Sequence, residues 1–296
     1  MNNLLLIDGH SILNRAFYGI PMLTNHEGIH TNAIYGFINI MLRAMEDEKS
    51  DHIAVAFDLK APTFRHKMYE MYKGTRKPMP AELHEQVPVI KEILASMNIP
   101  VITLEGYEAD DILGTVGKKA QSLGYNVVIL SGDRDLLQLA DEHIKIRLPK
   151  TIKGRTEIEN YYPEDVMEKY MATPSEFIDL KALMGDSSDN IPGVPGIGEK
   201  TAMSIISKYH SIENAYEHVE ELTPAKAKNS LRENYDLAKL SKVLATIETD
   251  APVEFNIEDS AIGNIFTKEA YELFTRYELK LSLIHISEPT RRVVIS

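Results

Sequence analysis

Three short apolar runs, separated by amphipathic segments, constrain the fold of this chain more than any other feature. Each run has the length of a buried parallel strand: 4–8, 53–58 and 127–131. Three intervening segments repeat apolar residues at spacings of three and four, which predicts helices with one buried face: 33–46, 81–97 and 109–123. Pro88 lies inside the second segment, so we expect a kink or a later helix start there. The alternation predicts an α/β core over about residues 1–170, with a central, mostly parallel sheet flanked by helices.

Acidic residues follow these strands and open a helix, in five short clusters along the chain. Carboxyl ends of parallel strands meet at one edge of a sheet, so we expect the clusters to converge there. Converging carboxylates repel one another unless cations lie between them, and oxygen ligands suit Mg²⁺ or Mn²⁺. A single aspartate of this kind is usually a helix cap, but the set predicts a site for two or more divalent ions. The candidate ligands are Asp8, Asp58, Glu108, Asp110, Asp111, Asp133, Asp135, Asp186 and Asp189.

Composition limits the classes of protein to consider. Of 296 residues, 44% are hydrophobic and 26% are charged, as in ordinary globular proteins. The absence of cysteine excludes disulfides and thiolate metal sites, and it fits a reducing cytoplasm. No apolar run approaches the roughly 20 residues of a membrane span, so we expect no membrane partner. The net charge of −12 argues only weakly against nucleic acid, because bound metal ions would offset several of the carboxylates.

Helical signals dominate after about residue 170 and predict a second, helical domain over 171–280. Within it, a glycine-rich turn opens onto a helix in the segment 185–202. Such a turn presents backbone N–H groups at the positive end of a helix, and glycine lets a phosphate backbone approach closely. This pattern resembles a helix–hairpin–helix, a DNA-binding element, although an ordinary turn between helices remains an alternative. Its candidate DNA-binding residues are Gly193, Gly196, Gly198, Lys200 and Thr201.

A basic segment at about residues 60–80 stands out in this acidic chain. It contains a single acid, Glu70, and the cations Lys60, Arg65, Lys67, Lys73, Arg76 and Lys77. Cations interleaved with tyrosine suit a single-stranded nucleic acid, because charges follow phosphates and rings stack on bases. Charge runs are more often solvated faces, but this one follows Asp58 directly, so we expect it to emerge beside the metal site.

The C-terminal stretch 281–296 differs from the rest of the chain. It resembles the in-frame translation of a transposon-type sequencing adapter followed by read-through. We therefore expect residues after about 280 not to be evolved structure and the chain to be a truncated piece of a longer protein. A genuine disordered tail is the alternative.

Together these motifs resemble the 5′-nuclease superfamily of flap endonucleases, and within it the N-terminal 5′→3′ exonuclease domains of bacterial DNA polymerase I enzymes. The resemblance covers residues 1 to about 280 and includes every acidic position of the family pattern. Its motifs are Leu-Ile-Asp8-Gly-His, Ala-Phe-Asp58, Phe-Arg65, Tyr72-Lys73-Gly-Thr-Arg76, Gly-Tyr-Glu108-Ala-Asp110-Asp111, Ser-Gly-Asp133-Arg-Asp135 and Gly-Asp186-Ser-Ser-Asp189-Asn.

The resemblance implies a role for each group of residues. The first metal ion would lie among Asp8, Asp58, Glu108 and Asp110, and the remaining five carboxylates would hold a second, directly or through water. Lys73 and Arg76 would stabilise charge on the phosphate, and Tyr72 would stack on a base near the cut. Arg65 would join the DNA-binding residues, residues 60–80 would form a helical arch, and K⁺ would bind at the helix–hairpin–helix.

The function expected from the resemblance is structure-selective, metal-dependent hydrolysis of DNA and RNA-primer phosphodiesters during replication and repair. The implied partners are DNA with a 5′ flap, nick or single-stranded 5′ end, and RNA–DNA primer junctions. The chain would act as a monomer in the bacterial cytoplasm, at the nucleoid, without polymerase activity.

Two other functions compete with this interpretation. A catalytically silent DNA-binding module would gain nothing from so many carboxylates near a polyanion. A phosphotransferase of the aspartyl-phosphate type needs a second aspartate two residues after the first, but Asp8 is followed by Gly9 and His10.

Overall fold

The structure is a computed structural model that describes residues 2–152 and 155–279, and the predicted adapter-like tail at 281–296 lies outside them. A six-stranded sheet forms its centre: β1 (Asn3–Asp8), β2 (His52–Ala56), β3 (Val101–Ile102), β4 (Asn126–Leu130), β5 (Ile144–Ile152) and β6 (Arg155–Tyr161). The strand order is β3-β2-β1-β4-β5-β6, and all neighbours are parallel except β5 and β6. The order reverses between β1 and β4, which is where such sheets open a crevice for ligands.

Thirteen α-helices surround the sheet or follow it in the described part of the chain. Those up to the end of the core are α1 (Gly9–Gly19), α2 (Asn32–Glu48), α3 (Phe64–Met68), α4 (Ala81–His84), α5 (Gln86–Ser96), α6 (Ala109–Ser122) and α7 (Pro163–Tyr170). The later ones are α8 (Pro174–Met184), α9 (Glu199–Tyr209), α10 (Ile212–Glu217), α11 (Ala225–Glu233), α12 (Tyr235–Ala245) and α13 (Lys268–Arg276). Short 3₁₀ helices cover Arg134–Leu139, Val219–Glu221 and Ile257–Ser260.

Both faces of the sheet are covered, as the continuous apolar strands require. Successive side chains of a strand point to opposite faces, so Leu5 and Ile7 join the apolar cluster under α1, α2 and α5. Leu4 and Leu6 join a second cluster that includes α6 and continues into the helical domain through α8 and α9. The predicted fold class, a mostly parallel sheet between helices followed by a helical domain, is confirmed.

The structure also departs from the predicted elements. Three strands were not predicted: β3 is two residues long, and β5 and β6 form a hairpin of mixed polarity. The predicted helix over 81–97 is divided into α4 and α5, and Pro88 lies in the first turn of α5, where its missing N–H removes no helical hydrogen bond. In the basic segment 60–80, helix is confined to α3, and turns follow it.

The last helix of the described residues, α13, packs against the α/β core, although its sequence position assigned it to the helical domain. Ala270 and Phe274 of α13 are buried in the cluster under α2 and α5, on the far face of the sheet. The chain therefore returns to the α/β core after residue 257. The predicted helical domain, 171–280, thus includes one helix that packs against the core. No helix of the described residues is long and apolar enough to cross a membrane.

Candidate metal and nucleic-acid site

Asp8 occupies the crevice between β1 and β4. It caps α1 by accepting a hydrogen bond from the Ser11 amide, 3.0 Å away, through Oδ1. Its Oδ2 accepts a second bond, 2.7 Å long, from the hydroxyl of Ser131 at the end of β4. The carboxylate is therefore fixed by both strands that border the crevice.

Asp58 joins the neighbouring strand β2 to the start of α6. Its Oδ1 accepts a 2.8 Å hydrogen bond from the Ala109 amide in the first turn of that helix, and the Nδ1 of His10 lies 3.3 Å from Oδ2. Burial would raise the pKa of Asp58, but the hydrogen bonds from His10 and Ala109 outweigh it and lower the pKa to about 2. This carboxyl therefore stays ionised at neutral pH.

Five of the nine predicted metal ligands line one cavity of about 180 Å³. They come from four regions of the chain, because β1, β2, α6 and the turn after β4 all end or begin at this edge of the sheet. The lining residues are Asp8, His10, Ser11, Asn14, Asp58, Lys73, Arg76, Glu108, Ala109, Asp110 and Asp133. The structure thus brings together the strand ends that the sequence predicted would converge.

Repulsion among the buried carboxylates of this cavity indicates a cation site. Burial, together with the charges of Asp58 and Asp133, raises the pKa of Asp8 to about 6. Burial and the charges of Asp133 and Asp8 raise the pKa of Asp110 well above its usual value. Among residues 2–152 and 155–279, no three acidic or histidine side chains lie close enough to hold a metal as they stand. The five candidate ligands are nevertheless all carboxylates, and hard divalent cations prefer such oxygen donors.

Two cations of the basic segment reach into the same cavity. The Lys73 ammonium lies 2.7 Å from Oε1 of Glu108 and 3.7 Å from Asp189, and Arg76 forms an ion pair with Asp189. Burial would lower the pKa of Lys73, but the charges of Glu108 and Asp189 outweigh it and raise the pKa. Both cations remain charged beside the carboxylates, where they are placed to meet a phosphate.

Tyr72 is not placed as the stacking surface that was expected. Tyr72 is 3% exposed, and its hydroxyl donates to Glu108 Oε2 at 3.0 Å and to Asp189 Oδ2 at 3.3 Å. A buried ring cannot stack on a base that approaches from solvent. The structure instead makes Tyr72 a support for two carboxylates.

Arg65 and Asp111 also differ from their expected roles. Asp111 is completely buried and lies outside the cavity; it accepts hydrogen bonds from Arg65 and from the Glu108 and Glu248 amides. Arg65 is 2% exposed and also donates to the carbonyls of Leu244 and Thr246. The pair ties the basic segment to α6 and to the end of α12, and it offers no free group to a metal or a phosphate.

The remaining acids, Asp135 and Asp186, form a separate pair around Lys181 of α8. Lys181 is buried, lies 2.7 Å from Asp135 Oδ1 and forms an ion pair with Asp186. Burial and the charge of Asp133 raise the pKa of Asp135 to about 7. We did not predict Lys181. Its signal in the sequence was a lysine four residues after Phe177 and three before Met184, on one face of α8. Charged residues rarely occupy such a core position without a partner.

The predicted helix–hairpin–helix lies between α8 and α9. Gly196, Gly198 and Lys200 are exposed at the start of α9, and Thr201 is half-buried. Gly193 is buried, with a positive φ of 62°, and its amide donates to the Ser241 hydroxyl. A Cβ at Gly193 would lie 2.4 Å from the Gly185 nitrogen, so this glycine permits two backbones to pass rather than a phosphate to approach.

Comparison with known proteins agrees with this architecture. The family described as 5′-3′ exonuclease, N-terminal resolvase-like domain, matches residues 3–171. The family described as 5′-3′ exonuclease, C-terminal SAM fold, matches residues 172–268.

Among solved structures, the backbone is similar to zinc-bound T5 5′-exonuclease, with a TM-score of 0.69 and 23% identity over 93% of this chain and 100% of that one. It is also similar to the catalytic core of Rad2 in complex with DNA substrate, with a TM-score of 0.62 and 14% identity over 95% of this chain and 92% of that one. At these identities the likeness concerns the fold.

Sequence relatives are closer. DNA polymerase I of Bacillus caldotenax is 45% identical over 97% of this chain, and that of Bacillus subtilis is 50% identical over 86%. The chain spans 32% and 29% of the lengths of these two relatives. With both family matches lying end to end over the α/β core and the helical domain, the chain belongs to the 5′-3′ exonuclease family.

Proposed function

We propose that this chain is a metal-dependent 5′-nuclease that cleaves DNA at 5′ flaps, nicks and single-stranded 5′ ends, and RNA primers at their DNA junctions. One observation carries the proposal: five carboxylates line a single cavity together with Lys73 and Arg76. Carboxylates alone would suit a site that only binds cations, and lysine and arginine alone would suit a surface that only binds phosphate. Their combination suits a metal-assisted attack on a phosphodiester.

Asp8, Asp58, Glu108, Asp110 and Asp133 are the residues that would hold Mg²⁺ or Mn²⁺. When bound, the metal supplies a Lewis acid and lowers the pKa of water that it contacts. Asp189 borders this set, whereas Asp135 and Asp186 share the ammonium of Lys181 as their ion-pair partner. We infer that these last two residues act on a second ion only after Lys181 gives up one of its partners, or through intervening water.

Lys73 and Arg76 would bind the non-bridging oxygens of the scissile phosphate. Both are now paired with carboxylates, and a phosphate entering the cavity would take over part of those contacts. Charge that develops on the phosphate in the transition state is stabilised most by donors already fixed in place. Tyr72 serves this arrangement by holding Glu108 and Asp189.

The exposed start of α9 would hold the DNA duplex. Backbone N–H groups at Gly198 and the ammonium of Lys200 suit a phosphate without reading a base. The same turn is our candidate K⁺ site. The metal-bound T5 5′-exonuclease and the DNA-bound Rad2 core support the metal and the partner, and the bacterial relatives support action in a bacterial cytoplasm. We further propose that the chain acts as a monomer at the nucleoid.

A flap-cleavage assay tests the proposal. The substrate is a 5′-labelled flap duplex, incubated with Mg²⁺ or with EDTA, for the wild type, Asp110→Asn and a matched control, Asp236→Asn, whose side chain is 94% exposed on α12. We expect Mg²⁺-dependent cutting near the junction by the wild type and the control, and none by Asp110→Asn. Binding of the flap without any cutting by the wild type would reject the nuclease in favour of a silent DNA-binding module.

A further inference from the structure

A second cavity adjoins the acidic one. It has a volume of about 290 Å³ and lies between the loop after β2 and the helices α4 and α5. Its lining residues are His10, Asp58, Leu59, Lys60, Met79, His84, Val87, Pro88 and Lys91. His10 and Asp58 also line the acidic cavity, so the two spaces share a wall.

The charge of the second cavity is opposite to that of the first. Lys60 and Lys91 line it, and the Nζ of Lys60 lies 2.5 Å from Nε2 of His84. Asp58 is its single acidic lining residue, and that carboxylate already accepts a hydrogen bond from the Ala109 amide. In a chain with a net charge of −12, a cavity with two lysines against one engaged acid is placed to attract an anion.

The rest of the lining is apolar and open to solvent. Leu59 is 40% exposed although it is a large apolar side chain, and Met79, Val87 and Pro88 complete the surface. The Lys91 ammonium lies 4.7 Å from the centroid of the Phe57 ring, and burial lowers its pKa. Apolar side chains with cations beside them fit a nucleotide, whose flat base meets the apolar side chains while the phosphate on its sugar meets the cations.

We propose that this cavity binds one nucleotide of the cleaved strand, adjacent to the scissile phosphate. The base lies on Leu59, Met79 and Val87, and the phosphate of the same nucleotide is held by Lys60 and Lys91. At about 290 Å³ the cavity is just below the roughly 300–1,000 Å³ typical of ligand pockets, which suits one nucleotide and no more.

The lining of the cavity favours the single strand over the duplex. It includes Lys60 and Met79 of the basic segment 60–80, and it includes no residue of the proposed duplex-binding turn at 185–202. We therefore assign the bound nucleotide to the single strand beyond the cut. This inference rests on the proposed function, since it takes the acidic cavity as the place of cleavage.

Photocrosslinking tests the position of the nucleotide without any turnover. Flap duplexes carry 4-thiothymidine at one defined flap position each, are bound to the wild-type chain in EDTA and irradiated, and mass spectrometry locates the attached residue. We expect one flap position next to the junction to crosslink within residues 59–60 or 79–91. Crosslinks that fall only outside those residues overturn the proposal.

Base discrimination tests the chemistry of the cavity. We expect the wild type to cleave a flap with an abasic residue at the crosslinking position about tenfold more slowly than the normal flap, because the apolar contacts of the base are lost. Leu59→Ala and Met79→Ala should reduce the ratio of the two cleavage rates, normal flap over abasic flap, towards one. The matched control Met167→Ala, 44% exposed on α7, should leave this ratio unchanged. An unchanged ratio in both cavity variants overturns the proposal.

The two experiments separate failure of this inference from failure of the proposed function. Cleavage with crosslinks elsewhere rejects the nucleotide cavity and leaves the nuclease intact. Crosslinks in the cavity with no cleavage of any flap reject the nuclease, and they leave a nucleotide-binding cavity without a scissile phosphate beside it.

Discussion

Arg65 and Asp111 form a buried, bidentate ion pair, in which Nη1 and Nη2 of the arginine each lie 2.8 Å from one carboxylate oxygen. Asp111 is fully buried and Arg65 is 2% exposed. The pair connects the basic segment to α6, and the basic segment carries Lys73 and Arg76 into the acidic cavity. The geometry of the candidate site therefore depends on two residues that do not line it.

Asp111→Ala should destabilise the protein, because it leaves the Arg65 charge buried without a partner. Breaking a buried pair from one side typically costs about 3–5 kcal/mol, and urea unfolding measures it. The double variant Arg65→Met with Asp111→Ala should lose less than the sum of the two single variants, since it removes both charges. If Asp111→Ala unfolds at the same urea concentration as the wild type but binds Mg²⁺ more weakly, Asp111 is a metal ligand, as the sequence predicted.

Asp110→Asn should stabilise the metal-free protein and abolish cleavage. Burial and the nearby charges of Asp133 and Asp8 raise the pKa of Asp110, so its carboxylate opposes folding at neutral pH. Each kcal/mol regained shifts the thermal midpoint by about 2–4 °C in a domain of 150–250 residues. Calorimetry in EDTA and the flap assay measure the two effects; a lower midpoint would show that Asp110 supports the fold.

The thermal midpoint of the metal-free protein should fall as the pH rises from 5 to 7.5. Burial and neighbouring carboxylates raise the pKa of Asp8 from 3.8 to about 6, so the folded state binds this proton more tightly than the unfolded state. Stability is therefore lost as the pH rises from about 4 to 6. Burial also raises the pKa of Asp135 to about 7, which extends the loss towards neutral pH.

Mg²⁺ should counter this loss, with a larger stabilising shift at pH 7.5 than at pH 5, because the cation competes with protons for the same carboxylates. Thermal melts with and without Mg²⁺ at the two pH values measure the shift. Equal shifts at both would indicate that Mg²⁺ binds away from Asp8.

Lys73→Ala should slow the chemical step by about 10²–10³-fold, the usual effect of losing one fixed donor to a developing charge. Binding of the flap should weaken much less, because Arg76 and the start of α9 still contact phosphates. Single-turnover cleavage and fluorescence anisotropy separate the two, with Lys67→Ala as the control from the exposed part of the same segment. Equal losses in both would make Lys73 a simple phosphate anchor.

Sequence periodicity predicted the core of the fold because β1, β2 and β4 are buried on both faces and read as continuous apolar runs. It did not predict β5 and β6, since this hairpin mixes Lys145, Arg147 and Glu159 among its apolar residues. The charges are accommodated by ion pairs, including that of Lys145 with Glu48 of α2, which no local pattern reveals. The placement of α13 against α5 is likewise a long-range contact.

The sequence by itself determined that carboxylates would gather at the ends of the strands, because strand ends are set by local pattern. Only the tertiary structure decided which of them share a cavity. Asp110 and Asp111 are neighbours at the start of α6, but successive residues of a helix point about 100° apart. One therefore faces Asp8 and Asp133 in the cavity, and the other faces Arg65 in the interior. The partner that meets each side chain comes from a distant part of the chain, and local sequence does not specify it.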